Sequence, residues 1–268
     1  MCGVTGIARN PISFDDVSGE AMREKKRRSL QRFIFFAFIA IFIPKPSVSA
    51  ETSVDIALVL AVDISESIEG VDAKIQRNGY LAAIRSAEFI DAVRAGPSGR
   101  IALTYVEWAG PTEQKQLVPW RVISDANSAE SFAAELEINP VRSLGATSIS
   151  GAIDFSAKLL KGAGFRMTRR IIDISGERCV DCDTMAGRPL LEARQDAVKA
   201  GITVNGLQMV FPPHPGKTAK KNIFDFYQNE VICGPKSFAV TVRKPEDFTQ
   251  ALINKLSLEI AGILVPRG

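Results

Sequence analysis

The sequence contains little histidine. Its one histidine, His214, lies between Pro213 and Pro215. A Ser-His-Asp triad needs a histidine held beside a serine nucleophile, and a lone histidine between prolines cannot furnish it. Structural zinc sites take four ligands, mostly Cys and His, so a zinc site would have to depend on three cysteines and is disfavoured. The composition therefore argues against histidine-based catalysis and against zinc.

Long hydrophobic runs are also scarce. The apolar run Phe33–Ile43 has only 11 residues, whereas a membrane-spanning helix needs about 20. A basic cluster at 25–28 precedes the run, Pro44 follows it, and small residues surround Ala50. This is the layout of a secretory signal peptide. We expect cleavage after Ala50 and a periplasmic or secreted protein; an N-terminal anchor that is not cleaved is the alternative.

The segment before the basic cluster fits no signal-peptide pattern, because it carries Asp15, Asp16 and Glu20. We therefore expect translation to start at Met22, so that residues 1–50 are an N-terminal extension plus a signal peptide.

The excess of positive charge belongs to this N-terminal segment. Residues 1–50 hold eight of the 33 Lys and Arg residues and four of the 30 Asp and Glu residues, which leaves 25 and 26 in residues 51–268, a net charge of −1. Such a balance gives no reason to expect nucleic acid or anionic membrane as a partner. The remaining 218 residues suit a single domain spanning 51–268.

Three cysteines remain in that domain: Cys179, Cys182 and Cys233. The first two have the spacing of a redox pair, but such pairs lie at a helix N-terminus, and the surroundings here are acidic and loop-like. In an oxidising compartment we expect one disulfide, between Cys233 and either Cys179 or Cys182.

Apolar strand patterns alternate with helical ones along residues 51–268. Val54–Val62 is nearly continuous in apolar residues, as in a strand buried on both faces, and Gly110-Pro111 separates two strand patterns, as in a hairpin. The alternation predicts an α/β fold: a three-layer, doubly wound, mostly parallel sheet with one antiparallel edge strand and helices on both faces. The predicted strands are 54–62, 100–108, 116–123, 169–175, 201–210 and 237–242, and the predicted helices are 71–93, 128–136, 148–160, 189–200, 221–228 and 245–261.

A metal-ligand pattern directly follows the first predicted strand. Asp63, Ser65 and Ser67 form an Asp-x-Ser-x-Ser motif. A carboxylate and two hydroxyls at alternate positions can point to one side and offer hard oxygen ligands, which Mg²⁺ prefers. Sheets of this kind bind ligands at the carboxyl ends of their strands, and the motif stands at such an end.

This motif resembles the metal-ion-dependent adhesion site of von Willebrand factor type A domains. The resemblance implies a threonine ligand from a second loop and an aspartate from a third. The segment 145–149 is similar to the second motif and offers Thr147. Glu177 stands where the superfamily places the aspartate, and its additional methylene implies a weakened or altered affinity for Mg²⁺ or Mn²⁺.

Three further segments resemble a narrower bacterial family of exported proteins with this fold and no assigned activity, the domain of unknown function 1194. They are 105–110, 200–207 and 233–235. This resemblance implies the fold and no substrate.

The same hydroxyls are also compatible with a purely structural role. Ser65 and Ser67 are suited to cap the helix that follows them, and Thr147 with Ser148 to form an N-cap pair, because hydroxyls at helix starts accept hydrogen bonds from free backbone N–H groups.

The function that these patterns favour is an exported, monomeric, metal-dependent protein-binding module without enzymatic activity, in which Mg²⁺ or Mn²⁺ recruits an acidic side chain of another protein. One alternative keeps the fold with a degenerate metal site and binds a partner through the 211–220 loop or the edge hairpin. Another is a metal-assisted phosphohydrolase with Asp63 as the nucleophile. Such enzymes usually need a second carboxylate close by and a phosphate-binding lysine, and the sequence offers no clean pair of this kind at that loop.

Overall fold

A six-stranded sheet forms the centre of the computed structural model, which describes residues 51–65, 68, 70–177, 187–211 and 226–262. The strand order is β3-β2-β1-β4-β5-β6, and all neighbours are parallel except β2 and β3. The strands are β1 Ser53–Asp63, β2 Ile101–Trp108, β3 Gln114–Ile123, β4 Arg166–Glu177, β5 Ile202–Met209 and β6 Ala239–Val242. The antiparallel strand β3 lies at an edge, so the predicted fold class is confirmed.

Helices cover both faces of this sheet. The first group, α1, α2, α3 and α6, packs on one face, and α4 and α5 pack on the other. The helices are α1 Gly70–Arg85, α2 Ala87–Arg94, α3 Ala126–Glu137, α4 Ile149–Lys161, α5 Leu190–Lys199 and α6 Phe248–Ala261. A π-helical turn, Tyr227–Val231, follows β5, and a 3₁₀ turn, Pro245–Asp247, precedes α6. Among the described residues, no helix is long and apolar enough to cross a membrane.

The central strand β1 explains why the core forms two layers. Successive side chains of a strand point to opposite faces, and in β1 both faces are apolar. Leu58 and Leu60 pack towards α1, α2 and α6, whereas Val59 and Ala61 pack towards α4 and α5. All four side chains are fully buried, as the continuous apolar run predicted.

The predicted helix 71–93 is wrong in one respect, because it is divided at Ser86 into α1 and α2. The hydroxyl of Ser86 accepts a hydrogen bond from the backbone N–H of Phe89 at 3.2 Å and donates one to the carbonyl of Ala83 at 2.8 Å. Serine competes with helical backbone hydrogen bonds in this way and favours caps. Ser86 has extended backbone angles and is the N-cap of α2, so apolar periodicity alone did not reveal the break.

The predicted helix 221–228 is only partly tested. Residues 221–225 lie outside the described residues, and helical structure is present from Phe226 to Val231. The expected disulfide also stays a prediction. Cys233 has a free thiol, whose Sγ lies 3.6 Å from the carbonyl oxygen of Arg194 in α5, whereas Cys179 and Cys182 lie outside the described residues.

A buried charge network attaches α6 to the sheet. The ammonium of Lys255 contacts Asp173 of β4 at 2.5 Å and Glu259 at 2.6 Å, and the amide of Asn205 in β5 donates to Glu259 at 2.8 Å. Lys255 and Asp173 are fully buried and Glu259 is 2% exposed. At the amino end of β4, Arg169 donates to the carbonyls of Glu259 and Ile260. Arg169 is half-buried, because the last turn of α6 covers part of its side chain.

Replacing Lys255 with methionine should destabilise the fold strongly. Loss of the ammonium leaves two buried carboxylates without a counter-charge, and breaking a buried pair from one side costs about 3–5 kcal/mol. Lys158→Met is the matched control, because Lys158 is exposed on α4. Urea unfolding at pH 7 measures the difference, and equal stability of the two variants would contradict the role given to Lys255.

The stability defect of Lys255→Met should shrink as the pH falls from 7 to 5. Burial is the largest cause that raises the pKa of Asp173 and Glu259, to about 7 for Glu259, whose ordinary value is 4.5. The charge of Lys255 lowers both pKa values, so its loss raises them further. The folded variant then binds these protons more tightly than the unmodified folded chain does, and its free energy of unfolding rises more as the pH falls through this window. Urea unfolding at several pH values tests this, and a defect that stays constant would argue against uncompensated carboxylates.

Candidate functional site

The candidate site lies where β1 ends, at the point where the strand order reverses. The chain passes from β1 to β2 on one side and returns to β4 on the other, so the carboxyl ends of β1 and β4 flank a crevice of the kind that binds ligands in such sheets. Val62 pairs with Ser175 across the two strands. Asp63 and the end of β4 therefore lie beside each other.

Asp63 is buried and bonded to the turn that follows it. Its Oδ1 accepts a hydrogen bond from the backbone N–H of Ser65 at 2.8 Å, and the hydroxyl of Ser65 is a second hydrogen-bond partner of the same carboxylate. Both residues are 1% exposed. Because α1 begins only at Gly70 and the hydroxyl of Ser65 is directed to Asp63, the alternative of a helix cap does not apply to Ser65. Ser67 lies outside the described residues.

Glu177, the last residue of β4, contributes to the same place. Its backbone N–H donates to the carboxylate of Asp63, and the negative charge of Glu177 raises the pKa of Asp63. Burial is the largest cause of that rise, which brings the pKa of Asp63 to about 7. Two carboxylates thus lie near each other at the strand ends, and within the described part of the chain no lysine or arginine forms an ion pair with Asp63.

The loop that carries Thr147 is attached to the same strand end. The backbone N–H of Leu144 donates to the carbonyl of Ile64 at 2.8 Å, and that of Ser148 donates to the carbonyl of Ala109 at 2.7 Å. Ser148 is the N-cap of α4 and its hydroxyl accepts from Gly151 at 3.1 Å. Of the predicted cap pair, Ser148 therefore has the capping role. Thr147 is half-buried, and its hydroxyl makes no hydrogen bond to any described residue.

The donors at this edge suit a hard cation. They are one carboxylate with serine and threonine hydroxyls, plus the longer carboxylate of Glu177, and oxygen sets of this kind fit hard divalent cations such as Mg²⁺ or Mn²⁺. Among the described residues, no three His, Cys, Asp or Glu side chains cluster as they would in an all-protein metal cage.

Gln76 of α1 is a residue of this site that the sequence analysis missed. Its Nε2 donates to the backbone carbonyl of Asp63 at 2.9 Å, and its Oε1 accepts from the hydroxyl of Ser175 at 3.0 Å. Gln76 is 1% exposed. One amide thus joins β1, α1 and β4 directly under the candidate site, and a glutamine within an apolar helix stripe was the only signal for it.

Gly176 is the second missed residue. A Cβ added there would lie 2.8 Å from Oδ2 of Asp63, 2.8 Å from the hydroxyl of Tyr227 and 2.9 Å from Cβ of Asp63. These distances are shorter than ordinary van der Waals contacts. Only glycine therefore lets β4 pass the carboxylate of Asp63 this closely.

Both tryptophans are packing residues. Trp108 is fully buried at the end of β2, and Trp120 packs edge-on against Phe165 with ring centroids 6.1 Å apart.

A family model described as "Protein of unknown function (DUF1194)" matches residues 53–264 of the chain. Among curated proteins, none matches.

Solved structures with this fold include adhesion and matrix proteins. Proximal thread matrix protein 1 from the mussel byssus matches this chain with 15% identity and a TM-score of 0.56. The match covers 79% of this chain and 49% of the chain of the byssus protein. The pilus adhesin SpaC from Lactobacillus rhamnosus GG has 13% identity and a TM-score of 0.55, covering 78% and 31%. The von Willebrand factor domain of the pilus tip protein Mfa5 from Porphyromonas gingivalis has 11% identity and a TM-score of 0.52, covering 81% and 99%.

At these identities the likeness shows the fold alone, and that fold is the von Willebrand factor type A fold. The chain spans about half the length of the byssus protein.

Replacing Gly176 with alanine should displace the carboxylate of Asp63 and destabilise the protein by about 1–3 kcal/mol, the usual cost of overpacking. Gly162→Ala is the control, because a Cβ there has its nearest neighbour at 3.6 Å. Thermal and urea unfolding compare the two variants. If Gly176→Ala were as stable as Gly162→Ala, the close approach of β4 to Asp63 would be contradicted.

Proposed function

Because the chain belongs to the family of proteins of unknown function DUF1194 and has a von Willebrand factor type A fold, we propose that it is an exported adhesion-type module. In this proposal it holds a divalent cation at the carboxyl ends of β1 and β4 and binds an acidic side chain of a partner protein. The observation that carries the proposal is the convergence of Asp63, Ser65 and the Thr147 loop at one strand end.

Each residue has a defined part in this site. Asp63 supplies the charged ligand, and Ser65 supplies a hydroxyl while its N–H orients the carboxylate. Thr147 supplies a hydroxyl from the second loop, and Ser67 would add another from the first. Glu177 would accept hydrogen bonds from metal-bound water. A cation held by these residues would supply the positive charge that binds a partner's carboxylate.

The comparisons support a cation at such a site. One structure of proximal thread matrix protein 1 is described as having a "zinc occupied MIDAS motif", with a TM-score of 0.56 to this chain. Other proteins of the fold are described as a pilus adhesin and a pilus tip protein. Export of this chain agrees with such relatives and with the signal-peptide pattern of residues 1–50.

Exposed apolar side chains at the same edge support a protein partner. α1 follows β1 and α5 follows β4, so both start at the carboxyl ends of the parallel strands; α3 follows the antiparallel strand β3 from the opposite edge and therefore ends at the carboxyl edge. Large apolar residues are exposed at these three positions, and exposed apolar surface marks protein interaction sites where it forms a continuous patch. They are Val71 (60%), Leu191 (60%), Ile138 (83%) and Val141 (39%).

One alternative keeps the fold with a metal site that no longer binds. Glu177 in place of aspartate motivates it, since the longer side chain moves its carboxylate by one methylene. In that case the edge hairpin of β2 and β3 would contact the partner without a cation, or the 211–220 loop would, most of which lies outside the described residues.

Calorimetric titration of Mg²⁺ and Mn²⁺ into the full chain tests the metal site. We expect saturable binding that Asp63→Ala abolishes, while Asp91→Ala, which removes an exposed carboxylate from α2, binds as the unmodified chain does. A cation that binds only the folded state should raise the free energy of unfolding by about 2.7 kcal/mol at 100 times its Kd. No heat and no rise in melting temperature would favour the degenerate site.

Partner capture from the exported fraction should depend on the cation. We expect proteins retained by the immobilised full chain to be released by chelator and not retained by Asp63→Ala, with Asp91→Ala as the positive control. Retention that persists in chelator and in Asp63→Ala would refute a metal-dependent partner and favour contact through the loops.

A further inference from the structure

Glu107 is a charged residue inside the buried strand β2, and the proposed cation site does not use it. It is 1% exposed. Each oxygen of its carboxylate accepts from a different arginine: Oε1 from Nη2 of Arg77, and Oε2 from Nη2 of Arg142 at 3.0 Å and from Nε of Arg142 at 3.3 Å. A buried carboxylate that receives two guanidinium groups is fully compensated.

Arg77 links this carboxylate to two helices. It belongs to α1 and is 5% exposed. Its Nη1 donates to the carbonyl of Leu136 at 3.1 Å and to that of Asn139 at 2.9 Å, which lie in the last turn of α3 and just beyond it. Free carbonyls at a helix end need such donors. Through Arg77, Glu107 of β2 is thus linked to the end of α3, where the α3–α4 loop starts.

Arg142 connects the pair of Glu107 and Arg77 to the loop that carries Thr147. It lies two residues before Leu144, and two residues span at most about 7 Å. Leu144 forms an isolated parallel bridge with Ser65 and donates to the carbonyl of Ile64. Within the described residues, Arg142 is therefore the side chain that anchors this loop to β2 close to the ligands of the proposed site.

We propose that Arg142, paired with Glu107 and supported by Arg77, is a positioning residue that holds the Thr147 loop at the cation site. The inference rests on the proposed function, in which the hydroxyl of Thr147 is a ligand of a bound cation. Ligands of a metal must be held within about 0.5 Å of their working geometry by supporting side chains. The pair between Arg142 and Glu107 supplies that support from the strand next to β1.

The direction in which the Mg²⁺ affinity changes when Arg142 is replaced distinguishes a positioning role from a purely electrostatic one. A guanidinium near a bound cation repels it. If Arg142 influenced the site only through its charge, a neutral replacement would strengthen Mg²⁺ binding. If Arg142 positions Thr147, the same replacement weakens it, because the loop loses its side-chain anchor.

Arg142→Gln is a suitable variant because Arg142 is 34% exposed and its loss leaves Glu107 paired with Arg77. We expect about a tenfold rise in the Kd for Mg²⁺ in the full chain, with partial recovery in Arg142→Lys, whose ammonium cannot reproduce the contacts through Nε and Nη2. Arg121→Gln is the matched control, since Arg121 lies on the edge strand β3 and its replacement removes an exposed pair with Glu135 of α3.

A double-mutant cycle with Thr147→Ala gives the decisive measurement. If Arg142 acts through Thr147, the double variant should bind Mg²⁺ no more weakly than Thr147→Ala alone. Losses that add, or Mg²⁺ binding that is unchanged or tighter in Arg142→Gln, would overturn the positioning role while leaving the metal site intact. No Mg²⁺ binding by the unmodified chain would overturn the metal site and the positioning role together.

Amide hydrogen exchange in the absence of metal gives an independent measurement. Arg142→Gln should speed exchange at Leu144 and Ser148, whose N–H groups hold the loop, and leave exchange in β4 unchanged. Equal protection of Leu144 and Ser148 in the variant and in the unmodified chain would also overturn the positioning role.

Discussion

The arrangement of this molecule depends on one buried strand that ends in a carboxylate at the edge of a parallel sheet. β1 is apolar on both faces and lies in the middle of the sheet, so its carboxyl end and that of β4 must meet at the switch in strand order. Asp63 occupies that end, and the N–H groups of Ser65 and Glu177 point to its carboxylate. The candidate site, the close passage of Gly176 and the link through Gln76 all follow from this placement.

Three of the buried carboxylates, Asp63, Glu107 and Asp173, have different partners for their negative charge. Asp173 pairs with Lys255, and Glu107 pairs with Arg77 and Arg142. Asp63 has N–H and O–H donors but no cationic partner among the described residues, and burial raises its pKa. A buried negative charge without a counter-charge is costly. We therefore propose a cation supplied from outside the chain at Asp63 and at neither of the other two.

The fold and the family leave the partner open. Proteins of the same fold include a byssus matrix protein and pilus proteins, at identities of 15% or less, so the shared property is the architecture. Function must then come from the site itself. In this chain the edge around Asp63 combines carboxylate and hydroxyl oxygens with exposed apolar side chains, and the proposed function rests on that combination.

The sequence by itself determined the fold class, the edge hairpin and the position of Asp63 and Ser65 after the first strand, because apolar periodicity and turn residues are local signals. Only the tertiary structure decided which distant side chains meet. Gln76 and Ser175 are 99 positions apart, and Glu107 and Arg142 are 35 apart. No local pattern encodes such pairs, since they arise when helices pack on the sheet. The sequence pattern did not predict the break at Ser86 for a related reason. The apolar stripe continues across the break, whereas the hydrogen bond from the N–H of Phe89 to the hydroxyl of Ser86 starts a new helix there.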